Sequence, residues 1–267
     1  LPEGYLFGQP APHPISSTST FEIAPGATEH VRVEVIDVRG RVTRLTAVNA
    51  DIAFDGIATT GAGSEGLLVN ATGDVTLDGG DVSTTAPATD AVVINAVTIS
   101  GLLGDISATG AGSQGLVLNG SVDGLTVGTV VSAAAGVEIN AGATDVDFTC
   151  GDVSTTEDAS PAVTVISTGQ IDVACGFLST EGDVSDGLLI VGGAEPITAS
   201  IDGASTLGLD SDGADITGTG AISFTANGPI DTLGDDSAGV VITGGAVPIS
   251  ATYDDITTSG IGAANAV

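Results

Sequence analysis

The chain has 267 residues, with 34 aspartates and glutamates against 4 arginines and a formal net charge of −30. That excess removes nucleic acid as a natural partner, because neutralising phosphates takes clustered cations, and it disfavours unaided binding to anionic lipid. Aromatic residues make up 3% and apolar residues 42%, with 40 glycines, so the core is expected to be narrow and filled by small aliphatic side chains.

Residues 1–44 differ from everything after them. Pro2, Pro10, Pro12 and Pro14 favour an extended, poorly regular segment. Arg32, Arg39, Arg41 and Arg44 then carry all of the chain's cationic charge beside the alternating run Val31-Arg32-Val33-Glu34-Val35. One or two strands are predicted there, forming an N-terminal cap over the end of a repeat array or a docking element for another acidic protein, a second copy included.

From Leu45 to Val267 a theme of about 25 residues recurs. Its clearest copies open with Gly66-Leu67-Leu68-Val69-Asn70, Ala91-Val92-Val93-Ile94-Asn95, Gly115-Leu116-Val117-Leu118-Asn119 and Gly136-Val137-Glu138-Ile139-Asn140. Weaker copies open at Ala162, Gly187, Gly213 and Gly239. Within each copy an apolar triplet comes first. An alternating pair such as Val75/Leu77, Val146/Phe148 or Ile171/Val173 follows, and then a third short strand such as Val82-Ser83-Thr84-Thr85. These are period-2 patterns bounded by Gly, Asp, Asn and Ser, and no stretch sustains helical spacing. Three short strands to a circuit predict an all-β, single-stranded parallel β-helix (β-solenoid) of about nine coils of about 25 residues, preceded by the extended segment and cap. At about 4.8 Å per coil the rod is on the order of 40 Å long.

Three rows carry the side-chain argument. Asn49, Asn70, Asn95, Asn119 and Asn140 follow the first strand in successive copies. They are expected to form a corner ladder, since Asn tolerates left-handed backbone and stacks by hydrogen bonding. Threonines at 59/60, 84/85, 109, 155/156, 180, 232 and 257/258 form a second row, read as a solvated turn with good β-propensity and interrupted at Ala133-Ala134 and Thr206-Leu207; ice binding is the alternative for it. Cys150 and Cys175 stand 25 residues apart, each two positions after a second-strand pair, so both should point inward on adjacent coils. A disulfide and a reduced buried pair are both open.

Chemistry has little to work with. His13 and His30 both precede the repeats. Asp210/Asp212, Asp235/Asp236 and Asp254/Asp255 could hold Ca²⁺ weakly and irregularly, but neither an EF-hand loop nor a Gly-rich Ca²⁺-binding nonapeptide is written. No catalytic residue or cofactor is assigned, and the chain is read as non-enzymatic. A carbohydrate-binding or carbohydrate-cleaving β-helix that uses adjacent aspartates is the alternative.

Copies reading Gly-Leu-Leu-Val-Asn-Ala (residues 66–71) and Gly-Asp-Val-Ser-Thr-Thr (residues 80–85 and 151–156) resemble the β-helical passenger regions of autotransporter-like, repeat-rich surface proteins of Gram-negative bacteria. The resemblance covers about residues 45–267. It implies a secreted rod on the exterior of the outer membrane, used for adhesion, biofilm structure or display, with another surface protein or a polysaccharide as partner. The family's C-terminal membrane barrel is not written here, so no direct membrane insertion is expected from these residues. Asn265-Ala266-Val267 arrives where a new coil should open, which leads to the expectation of continuation into a longer rod or head-to-tail assembly.

Overall fold

A computed structural model describes residues 30–35, 38–39, 43–61, 63 and 65–262. The Pro-rich stretch, His13, Arg41 and the motif at 265–267 lie outside them, and Arg32, Arg39 and Arg44 are placed by their strand positions alone. The described strands stack in parallel as a β-solenoid without a helix. None of these segments is a helix long and apolar enough to cross a membrane.

Three sheets run along the rod, each built from one short strand per coil. The first sheet stacks Leu67 on Val92, Leu116, Val137, Val163, Leu188, Ala214 and Val240. The second stacks Val146 on Ile171, Ile197, Ile222 and Ile249. The third stacks Val82 on Ile106, Val130, Val153, Leu178, Ala204, Ile230 and Ile256. Several strands, such as Asp74–Thr84 and Ile171–Thr180, turn a corner without losing their pairing and serve two sheets.

Alternation explains the packing. Along Val146–Cys150 the residues read buried, exposed, buried, exposed, buried, so each strand contributes two or three inward side chains and the coils above and below cover them. Each Val, Leu or Ile so buried contributes about 1.5–3 kcal/mol. Large residues are spaced by small ones. Phe148 and Phe224 share one inward row with Val173 and Ala199 between them. Phe54 lies over Gly79, where a Cβ would come within 2.5 Å of the phenyl ring.

One sequence expectation changes here. The solenoid begins before residue 45: His30–Val35 pairs in parallel with 49–54, and Thr43–Ala47 with Leu67–Ala71. The arginine-bearing segment therefore follows the path of a coil. The short spacing between Asn119 and Asn140 is absorbed in a turn, as expected of a variable period. After Ser132 the chain turns through three alanines, and the Ser132 hydroxyl donates to the Ala134 carbonyl at 2.8 Å. Glu157 fills the space left by that short turn, accepting from the Gly112 N–H at 3.0 Å.

Candidate functional site

The asparagine row forms a hydrogen-bonded ladder over four coils. Each amide nitrogen donates to the oxygen of the preceding coil: Asn95 to Asn70 at 2.9 Å, Asn119 to Asn95 at 2.8 Å and Asn140 to Asn119 at 3.4 Å. Asn140 also donates to Glu138 at 2.8 Å, and Glu138 accepts from Gln114 at 3.0 Å, so a carboxylate ends the row. The next residues in register are Ile166 and Val191, both exposed. Asn49 is a correction. Leu45 takes register with Val69, which puts Thr46, not Asn49, under Asn70. Asn49 instead pairs with His30 and accepts the Asp74 N–H at 2.8 Å.

The threonine row is the second correction, because its first members face inward. Thr59, Thr84, Thr155, Thr180, Thr206 and Thr232 are buried, and Thr206, expected to interrupt the row, continues it. In three coils the following turn offers the buried hydroxyl a carbonyl. Thr155, Thr180 and Thr206 donate to the carbonyls of Ser160, Ser185 and Ser211 at 2.6, 2.6 and 2.7 Å. The hydroxyls of Thr84 and Thr232 have no such partner. Those serines make a further buried ladder that sequence reasoning missed: the Oγ of Ser185, Ser211 and Ser237 accepts the N–H of Ser160, Ser185 and Ser211. A signal existed, since a serine stands three residues before the first strand at Ser113, Ser160, Ser185, Ser211 and Ser237.

The same turns carry left-handed backbone one residue before each of those serines. Glycine supplies it at Gly112 (φ 72°), but Ala159, Val184, Asp210 and Asp236 adopt it at φ 51–57°. On the outer side of this edge Val184, Leu207, Leu209, Leu233 and Ile261 are exposed among carboxylates. Leu207 and Leu233 follow the registered pair Thr206 and Thr232, and the Val184 N–H donates to the Leu209 carbonyl at 2.8 Å, so the aliphatic residues lie on neighbouring coils.

Carboxylates concentrate beside them. Asp186 accepts the Asp212 N–H at 2.8 Å and Asp212 accepts the Ala238 N–H at 2.6 Å. Burial pushes the Asp186 carboxyl up to about 6; the Asp212 N–H opposes that rise, and the charges of Asp212, Asp215 and Asp210 add to it. Asp212 and Asp215 are also raised, with burial as the main cause. No lysine or arginine occurs after Arg44 to offset these charges. Among the described residues no three of His, Cys, Asp and Glu converge as metal ligands, and within the pairs Asp210/Asp212 and Asp235/Asp236 both Asp212 and Asp235 already accept backbone N–H groups.

On the outside of the second sheet an open groove of about 430 Å³ runs past Thr98, Ser121, Asp145 and Gln170. Asp123, Asp147 and Asp172 stack along it in register, one per coil. Inside the same sheet Cys150 and Cys175 are direct register partners, both buried and both free thiols, with 2.8 Å between sulfurs. The expected inward, adjacent-coil placement is therefore what the structure shows. No known family model, curated protein or solved structure matches this chain.

Proposed function

We propose that this chain is a non-enzymatic structural or adhesive rod, secreted and displayed on a bacterial cell surface, alone, as part of a longer rod or stacked end to end. The observation that carries this reading is the loop edge of the later coils. There, exposed Val184, Leu207, Leu209, Leu233 and Ile261 alternate with Asp183, Asp210, Asp235 and Asp236 on a scaffold tied coil to coil by buried serine hydrogen bonds. Exposed aliphatic side chains on neighbouring coils, interspersed with carboxylates, suit a contact surface, and the ladders beneath them keep that surface from rearranging. Electron microscopy of native material, with antibody labelling of intact cells, tests the reading. Rods or filaments labelled outside the cell are expected; label that appears only after the cells are broken overturns it.

A second reading, a carbohydrate-binding face, is favoured by the groove lined by Asp123, Asp147, Asp172, Ser121 and Gln170. Carboxylate and amide groups repeating at the coil spacing suit the hydroxyls of an extended neutral glycan. Titration with neutral polysaccharides, comparing the native chain with Asp147→Ala, separates the two readings. Saturable binding lost in that variant supports the groove, and binding indifferent to it leaves the loop edge.

A further inference from the structure

We propose that Cys150 and Cys175 form a redox pair set at folding time: they close into a disulfide joining neighbouring coils while those coils are still open, and the stacked rod then holds the pair in whichever state folding left it. The geometry supports closure. The residues are register partners on parallel strands, and adjacent strands place Cα atoms about 4.8 Å apart, within the disulfide range of about 4.4–6.8 Å. Their sulfurs are 2.8 Å apart, against a bond length of about 2.05 Å. The inward row above and below them holds Val127 and Ile201, so neither sulfur has another polar side chain in its row.

The same burial supports the lock. Cys150 is 5% and Cys175 7% exposed, so little of either residue is open to a reagent that must approach in line with a sulfur. The Cys150 thiol is held well above its ordinary range by its contact with Cys175, and by burial, Cys175 and Asp152 in turn, so the attacking thiolate is scarce once the coils have stacked.

Closure takes two exchange steps with a small-molecule disulfide such as oxidised glutathione. The Cys150 thiolate, its proton lost to solvent, attacks one glutathione sulfur, breaking that S–S bond, forming a mixed disulfide and releasing one glutathione thiolate. The Cys175 thiolate, also deprotonated by solvent, then attacks the Cys150 sulfur, forms the Cys150–Cys175 bond and expels the second glutathione. The protein gives up two electrons and two protons, and the glutathione disulfide takes up both electrons.

The full chain, reduced and unfolded in denaturant, is refolded by dilution into oxidised glutathione; a second sample is refolded without oxidant and only then given the same reagent. Both are alkylated in denaturant without reductant and weighed intact. The first sample is expected to take up no alkyl group and to weigh two hydrogens less than the reduced chain. The second should take up two alkyl groups. Two free thiols after oxidative refolding, or glutathione adducts in place of the bridge, overturn the pairing. Bridge formation in the prefolded sample as fast as in the refolding one overturns the lock. The Cys175→Ser variant, checked for folding by circular dichroism, should show no loss of two hydrogens after oxidative refolding and should stay unmodified when treated folded; glutathione taken up on Cys150 by the folded variant overturns the lock.

Discussion

The buried Thr206 hydroxyl donates to the Ser211 carbonyl at 2.7 Å, whereas Thr232, next to it in the same row, has a buried hydroxyl with no acceptor. One coil thus satisfies a polar group that its neighbour leaves orphaned, with the same residue in the same backbone register.

This contrast gives a paired mutational test. Thr206→Val keeps the branched shape but strands a buried carbonyl lone pair and removes a hydrogen bond, so a loss of about 1 kcal/mol is expected. Thr232→Val replaces an unpartnered hydroxyl with a methyl and should be neutral or stabilising. Denaturant unfolding of the two variants beside the native chain decides it, and equal losses would contradict the assigned hydrogen bonds.

Val184 adopts φ 54° in a turn where Gly112 supplies the equivalent conformation. A β-branched residue is strained there, at a cost on the order of 1–3 kcal/mol. Val184→Gly relieves that strain but adds freedom to the unfolded chain, about 0.5–1 kcal/mol. A net gain of about 1 kcal/mol is expected, read as a higher denaturation midpoint, together with loss of one exposed aliphatic side chain from the proposed contact edge.

The asparagine ladder predicts a position effect. Asn119 both donates to Asn95 and accepts from Asn140, while Asn49 stands outside the row and accepts one backbone N–H. Asn119→Ala breaks two ladder contacts and should cost about 1–2 kcal/mol. Asn70→Ala removes only the acceptor for Asn95 and should cost about half as much. Unfolding free energies from the two variants check the order.

Much of this architecture is legible in the residues because it is periodic. Val146/Phe148 and Ile171/Val173 announce inward rows by alternation alone, and the 25-residue spacing of Cys150 and Cys175 places them on neighbouring coils. The misplacements have a common cause. Val48-Asn49 looks like Val69-Asn70, yet register follows which residue fits inside, and Leu45 rather than Val48 takes the place over Val69. Threonine at 59, 84 and 155 looks like a solvated hydroxyl until the turn is known. At Thr155 the buried hydroxyl is satisfied by a carbonyl five residues further on, that of Ser160, which only the folded turn brings into reach. The acidic edge was visible only as charge. Its partial burial at Asp186 arises from stacked turns that no single repeat contains.

Asp186 supplies the prediction in pH. Its carboxyl sits at about 6 in the folded chain, raised by burial and by Asp212, Asp215 and Asp210, against about 3.9 when unfolded. Between those values the folded state holds more protons than the unfolded state, so stability falls as pH rises through this window. Below about 3.9 both states are protonated and the group contributes nothing; above about 6 its full destabilisation is present. Asp90, Asp212 and Asp215 are shifted in the same direction. The native chain should therefore melt higher near pH 4.5 than at pH 7.5. Asp186→Asn keeps an oxygen to accept the Asp212 N–H while removing the charge. Its melting temperature should exceed the native value at pH 7.5, and the difference should shrink steadily towards pH 4. Added sodium chloride should narrow the gap at pH 7.5 in part, because salt screens the repulsion from Asp210, Asp212 and Asp215 but leaves the burial cost in place. A pH-independent difference between the two proteins would show that the substitution acts through packing and not through the charge.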